Sequence, residues 1–166
     1  MPRRTVLNLG ACFGAALLIF TAAQAPAQTT NALSPVGQWK TIDDETNTER
    51  SIVEIRQVGS ELQGRILKIF PRPGEDPAPL CQQCEGERQN QPIIGMIFLW
   101  GLVPDGADSW AGGAVLDPQS GKIYNAKISL TDNGERLRVR GYLGTPLLGR
   151  PQIWLRQSGS TSASAD

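Results

Sequence analysis

From residue 36 onward, apolar and polar positions alternate with the two-residue period of strands, and nowhere in the chain does a convincing amphipathic helix appear. In the segment 51–58, Val53 and Ile55 fall on one face and Glu54 and Arg56 on the other, which predicts a half-buried strand. Before it, 36–42 reads as a first strand on which Gly37, Trp39 and Thr41 share a face. After the Gly59-Ser60 turn, 62–70 is its hairpin partner. Further hairpins follow, with strands predicted at 109–116, 122–130, 136–143 and 152–157. The connections carry strong turn chemistry: Asp117-Pro118 with Gly121, and Asp132-Asn133-Gly134. In 136–143, Leu137 and Val139 oppose Arg138, Arg140 and Tyr142.

The rhythm breaks once. Segment 71–91 holds four prolines, two glycines and two cysteines and shows neither period, so it reads as a long loop of the kind that serves as a functional lid or stays disordered. The apolar run 92–103 that follows is too short to span a bilayer and is expected to be a buried strand, the eighth. About eight strands spaced by turns predict an all-β fold: a single up-and-down antiparallel β-barrel with one long Cys-containing loop. Closure removes the sheet's edges, pairs the last strand with the first, and brings Trp154 and Arg156 near Trp39.

The first residues belong to another category. Arg3 and Arg4, the apolar run 6–20 and the small residues ending in Ala25-Pro26-Ala27 form the three-part layout of a secretory signal peptide, 1–27. Cutting after Ala27 avoids leaving Pro26 at the new N-terminus. The apolar run continues past Cys12, which argues against a lipoprotein box, and the Arg3-Arg4 pair leaves general secretory and twin-Arg export both open. The expected mature chain comprises a short leader (28–34), one barrel domain (35–157) and a disordered tail (158–166), located in the periplasm or secreted.

Removing 27 residues from 166 leaves 139, enough for one core, and losing two arginines leaves 14 basic against 16 acidic residues. That balance argues against nucleic acid or an anionic membrane surface as partner, and the mature chain has no transmembrane segment. With no histidine in the chain there is no Ser-His-Asp or Cys-His device, and no catalytic residue, cofactor or metal site is expected.

Cys81-x-x-Cys84 matches three devices: a redox pair, half a metal site, or a structural bridge. The segment 85–90 offers no apolar helical face to activate a thiol, and no second cysteine pair or histidine completes a zinc site. An oxidising compartment then favours a local disulfide. Arg138, Arg140 and Tyr142, with Tyr124 on the neighbouring strand, are the candidate ligand-binding residues, since together with Lys122 a cluster of this kind inside a barrel would grip a carboxylate or phosphate. The cost of burying unpaired arginines favours the opposite reading, a solvated outer face, and the direction of Arg140 decides between them. The four tryptophans Trp39, Trp100, Trp110 and Trp154 are expected to fill the core.

Two resemblances add to this. Gly37-x-Trp39 with Arg156 resembles the calycin group, lipocalins and their relatives, where an arginine near the end of the last strand covers a tryptophan on the first. Over about residues 35–156 the chain also resembles domain-of-unknown-function family 2147, small secreted bacterial proteins. That match is carried by the blocks 37–41, 64–66, 81–84, 92–96, 117–118 with 121–124, 140–144 and 154–156. It implies a calycin-like barrel and export, and no activity. Pro151 departs from the family's usual hydroxyl residue and is expected to delay the last strand by one residue. Gly37, Trp39, Trp154 and Arg156 are therefore expected to be structural, with any ligand held elsewhere. The combined expectation is a non-enzymatic module that binds a small apolar or amphipathic molecule under a lid formed by the Cys81 loop. The alternative is an envelope interaction or structural module that uses the loop 71–91.

Overall fold

The computed structural model describes residues 33–43, 46–145 and 151–157. The expected signal peptide, most of the leader, the connection 146–150 and the tail 158–166 lie outside the described residues. Eight strands run in chain order: β1 (Gly37–Ile42), β2 (Glu49–Val58), β3 (Glu61–Ile69), β4 (Ile97–Pro104), β5 (Ser109–Leu116), β6 (Ile123–Thr131), β7 (Arg136–Tyr142) and β8 (Pro151–Arg156). Each pairs antiparallel with its sequence neighbour, and β8 returns to β1 to close the barrel. No helix among the described residues is long and apolar enough to cross a membrane.

Closure sets Trp39 opposite Arg156 and Thr41 opposite Trp154, so these four side chains share the inner face. Trp39 is fully buried and its indole Nε1 donates to Pro35 O at 2.8 Å. The Arg156 guanidinium lies over the ring, 4.2 Å from its centroid, and donates to the carbonyls of Gly134 (2.6 Å), Ser34 (2.8 Å) and Val36 (3.3 Å). Gly37 has a φ of 131°, which side-chain-bearing residues rarely adopt, and it turns the incoming chain into β1. The residues just before β1 are thus drawn beneath the barrel and plug one end. Ile55, Leu62, Leu99, Leu102, Ile128 and Leu137, all nearly inaccessible, fill the space above that plug.

Two strand boundaries and the burial of two tryptophans differ from expectation for local reasons. The run 92–103 is divided: β4 begins only at Ile97, because Gly95 N bonds back to Ile66 O (2.7 Å) and the preceding residues belong to the long loop. Pro151 does not delay β8; it is the strand's first residue, opposite Arg140, where a missing N–H costs no ladder bond. Trp100 and Trp110 are only partly buried, so Trp39 and Trp154 alone of the four are core residues.

The long loop is built. Leu80 bridges Pro92, Cys81 N donates to Gln91 O (2.8 Å), Ile93 N to Pro79 O (3.0 Å), and a 3-10 turn occupies Gly86–Arg88. Cys81 and Cys84 stand at disulfide distance, Cα atoms 5.3 Å apart, and both are buried with Ile93 and Met96. Gly121, at the β5–β6 turn, explains how this lobe docks: a Cβ there would collide with the Gln83 carbonyl oxygen. On the outer wall Arg88 lies 4.6 Å from the Trp100 ring centroid.

Candidate functional site

Odd-numbered strands run away from the plugged end and even-numbered strands run back toward it, so the strand segments farthest from Trp39 form a single mouth. There the barrel is hollow, with a cavity of about 910 Å³. Its lower wall is apolar, made by Val53, Ile66, Phe98, Val115, Val139 and Trp154. Phe98 and Trp154 stack obliquely across it, with ring centroids 6.0 Å apart.

Along four of the inward-facing rows, those of β1, β2, β6 and β8, apolar residues give way to polar ones from plug to mouth, whereas β3, β4 and β5 stay apolar with Ile69, Phe98 and Val115. Trp39 is followed by Thr41, Ile55 and Val53 by Ser51, Ile128 and Ala126 by Tyr124, and Trp154 by Gln152. Thr41 Oγ1 and Ser51 Oγ share a hydrogen bond of 2.7 Å, and Gln152 Oε1 accepts from Trp154 Nε1 at 3.3 Å. The Gln152 amide nitrogen and the Tyr124 hydroxyl keep hydrogen-bonding capacity at the cavity surface. On β7 the corresponding inward position is Gly141, against which Val115 and Tyr124 pack so closely that a Cβ there would stand 3.2 Å from Val115 Cγ1.

Above this polar band sits an ionic rim. Arg50 Nη1 donates to Glu75 at 2.6 Å and to Phe70 O at 3.1 Å; Arg72 pairs with Asp43, and the Arg72 backbone N–H donates to Glu75 at 2.9 Å. These contacts tie the first residues of the long loop to the β1–β2 end of the barrel. The hydrogen bond from Arg50, then that from the Arg72 backbone, hold the Glu75 carboxyl below its ordinary pKa of 4.5. Asp76 and Asp117 complete the charged lining among the described residues. No group of three or more Cys, Asp or Glu side chains among them is placed to hold a metal ion.

The four candidate ligand-binding residues are separated by the barrel wall. Tyr124 lines the cavity. Arg138, Arg140 and Tyr142 do not: with Leu137, Val139 and Gly141 pointing inward, the two-residue period turns them out. Arg140 stands opposite Lys127, whose ammonium pairs with Asp105 at 2.7 Å on the outer surface. The carboxylate grip that such a cluster would offer inside the barrel is therefore absent from this face. Among the residues expected to be structural, Gly37, Trp39 and Arg156 sit at the plug, whereas Trp154 also forms cavity wall. Sequence reasoning gives Thr41, Ser51 and Gln152 no binding role, yet the signal is present: each lies two residues from Trp39, Val53 or Trp154, whose burial marks the inward face. Arg50, Arg72 and Glu75 carry no such signal, because their meeting depends on how the loop folds back.

Comparison with known proteins agrees with this architecture. The family described as "Uncharacterized protein conserved in bacteria (DUF2147)" matches residues 37–156. Among solved structures, the Helicobacter pylori protein HP1028, described as belonging to the lipocalin family, superposes with a TM-score of 0.66 at 21% identity, covering 76% of this chain and 85% of that one. At that identity the likeness is one of fold. Among curated proteins none matches in sequence.

Proposed function

Since this chain belongs to the DUF2147 family, whose description assigns no activity, we propose from the geometry of its barrel that it is a non-enzymatic carrier or receptor for a small amphipathic molecule, acting after export from the cytoplasm. The observation that supports this is the polarity of the inward rows of β1, β2, β6 and β8, which are apolar near the plug and hydrogen-bonding near the mouth. A ligand with an apolar body and a polar end fits that gradient in one orientation only. The volume of about 910 Å³ suits a single molecule of lipid or metabolite size. The loop 71–96 forms part of the rim and so acts as a lid.

Thermal-shift and native mass-spectrometry screens against extracted envelope lipids test the proposal, with a stoichiometric adduct as the expected result. Val115→Trp, which fills the chamber from its wall, is expected to abolish the adduct while the circular dichroism spectrum stays that of the parent. Adducts that persist unchanged in this variant would place the ligand outside the barrel. A second reading, a protein partner docking on the lid, has one supporting observation: Leu80 and Ile94 are exposed there. Pull-downs with and without residues 71–91 separate the two.

A further inference from the structure

Resting on the binding reading above, we infer that the cavity selects amphiphiles whose polar end is uncharged or cationic and discriminates against carboxylates of the same chain length. The groups that line its polar band, Thr41, Ser51, Tyr124 and Gln152, are hydroxyls and an amide, which satisfy an alcohol, amide or ester without neutralising a charge. An anionic head needs a cation. Two guanidinium groups line the cavity among the described residues, and both are committed: Arg50 to Glu75 at 2.6 Å, Arg72 to Asp43. The described lining carries four carboxylates, Asp43, Glu75, Asp76 and Asp117, against those two cations, a surplus of two negative charges.

That surplus is positioned at the entrance. Asp117 is fixed in its turn, accepting from Gln119 N at 3.0 Å and Ser120 Oγ at 2.6 Å, and Asp76 accepts from Ala78 N at 2.8 Å. Neither is in an ion pair among the described residues. A carboxylate entering the mouth meets like charge first and then a band whose described side chains offer it hydrogen bonds but no opposite charge, so its lost hydration is only partly replaced. An ammonium pays a similar desolvation cost but meets opposite charge. The outward direction of Arg138 and Arg140 removes the cations that would otherwise reverse this preference.

The experiment compares dodecanol, dodecylamine and dodecanoate, each below its micellar concentration, by tryptophan fluorescence and calorimetry on the intact chain near neutral pH. Dodecanol and dodecylamine are both expected to bind at least about tenfold more tightly than dodecanoate, a gap of roughly 1.4 kcal/mol. The amine controls for desolvation: amine and carboxylate binding equally would overturn the inference, as would dodecanoate binding best, while the cavity would remain a binding site. Failure of all three to bind would instead overturn the binding reading, and this inference with it. Asp76→Asn, which breaks no ion pair among the described residues, is expected to raise dodecanoate affinity relative to dodecanol about threefold or more; no change in that ratio counts against the assigned rim.

Discussion

Trp39 and Arg156 satisfy each other in a way that neither achieves alone. The indole would bury an N–H with no acceptor were Pro35 not drawn under the barrel, and Pro35 is held there because Arg156 binds the carbonyls of Ser34 and Val36 on either side of it. Truncating Trp39→Ala removes a fully buried ring and is expected to cost about 3–5 kcal/mol in urea unfolding. Arg156→Met retains most of the apolar stem but loses the cation over the ring and three donors to backbone carbonyls, for an expected cost of about 1–3 kcal/mol. Both changes lie at the plug, so the fraction that folds is expected to bind dodecanol as the parent does. Altered affinity would show that plug and chamber are coupled. At this scale the sequence is informative where parity is anchored by a buried aromatic residue: Trp39 and Trp154 orient Thr41, Gln152 and Arg156 by counting in twos. Beside Leu137 and Val139 the same counting sends Arg138 and Arg140 outward, which agrees with the cost of burying unpaired guanidinium groups.

The eight strands were readable to within a residue or two at most ends because their period and turn chemistry are local. The lid was not, and the reason is physical: its order comes from contacts distant in sequence, such as Gly121 against Gln83, Arg88 against Trp100 and Arg50 against Glu75. Its two parts are held by different forces. Residues 79–96 are fixed by backbone hydrogen bonds and a buried cysteine pair, whereas 71–78 depend largely on the partly exposed ion pairs of the rim, which contribute little individually and are screened by salt. Because the Glu75 pKa is lowered in the folded protein, its contribution to holding 71–78 is present above the ordinary value of 4.5 and is lost as pH falls through the lower folded value. Amide-exchange protection of 71–78, corrected for intrinsic rates, is thus expected to fall on acidification below that value while the strands keep theirs. Glu75→Gln is expected to show weak protection at every pH. Gly121→Ala addresses the other part: it places a Cβ against the Gln83 carbonyl at a positive φ, and an expected loss of about 1–3 kcal/mol should be accompanied by faster proteolysis around residues 81–91.

On the proposed binding role, the molecule separates stability from recognition along the barrel axis. The interior of the plugged half is filled, closed by β1–β8 pairing, and among the described residues holds no ionisable side chain other than the capped Arg156. The hollow half forgoes packing to keep a chamber. A protein built this way gains stability when the chamber is occupied, because ligand binds only the folded state: about 2.7 kcal/mol at a ligand concentration one hundred times Kd. Occupancy also has an optical reporter. Trp154 forms cavity wall, Trp39 lies under Arg156 at the far end, and Trp100 is covered by Arg88 on the outer surface. Dodecanol is therefore expected to shift the emission of the parent protein, and Trp154→Phe should lose most of that shift while calorimetry still records binding. Trp100→Phe, removing a ring that ligand does not approach, should retain it. A response that survives Trp154→Phe and disappears in Trp100→Phe would move the ligand from the chamber to the outer wall beneath Arg88, and would show that the polarity gradient inside the barrel serves some purpose other than orienting a bound molecule.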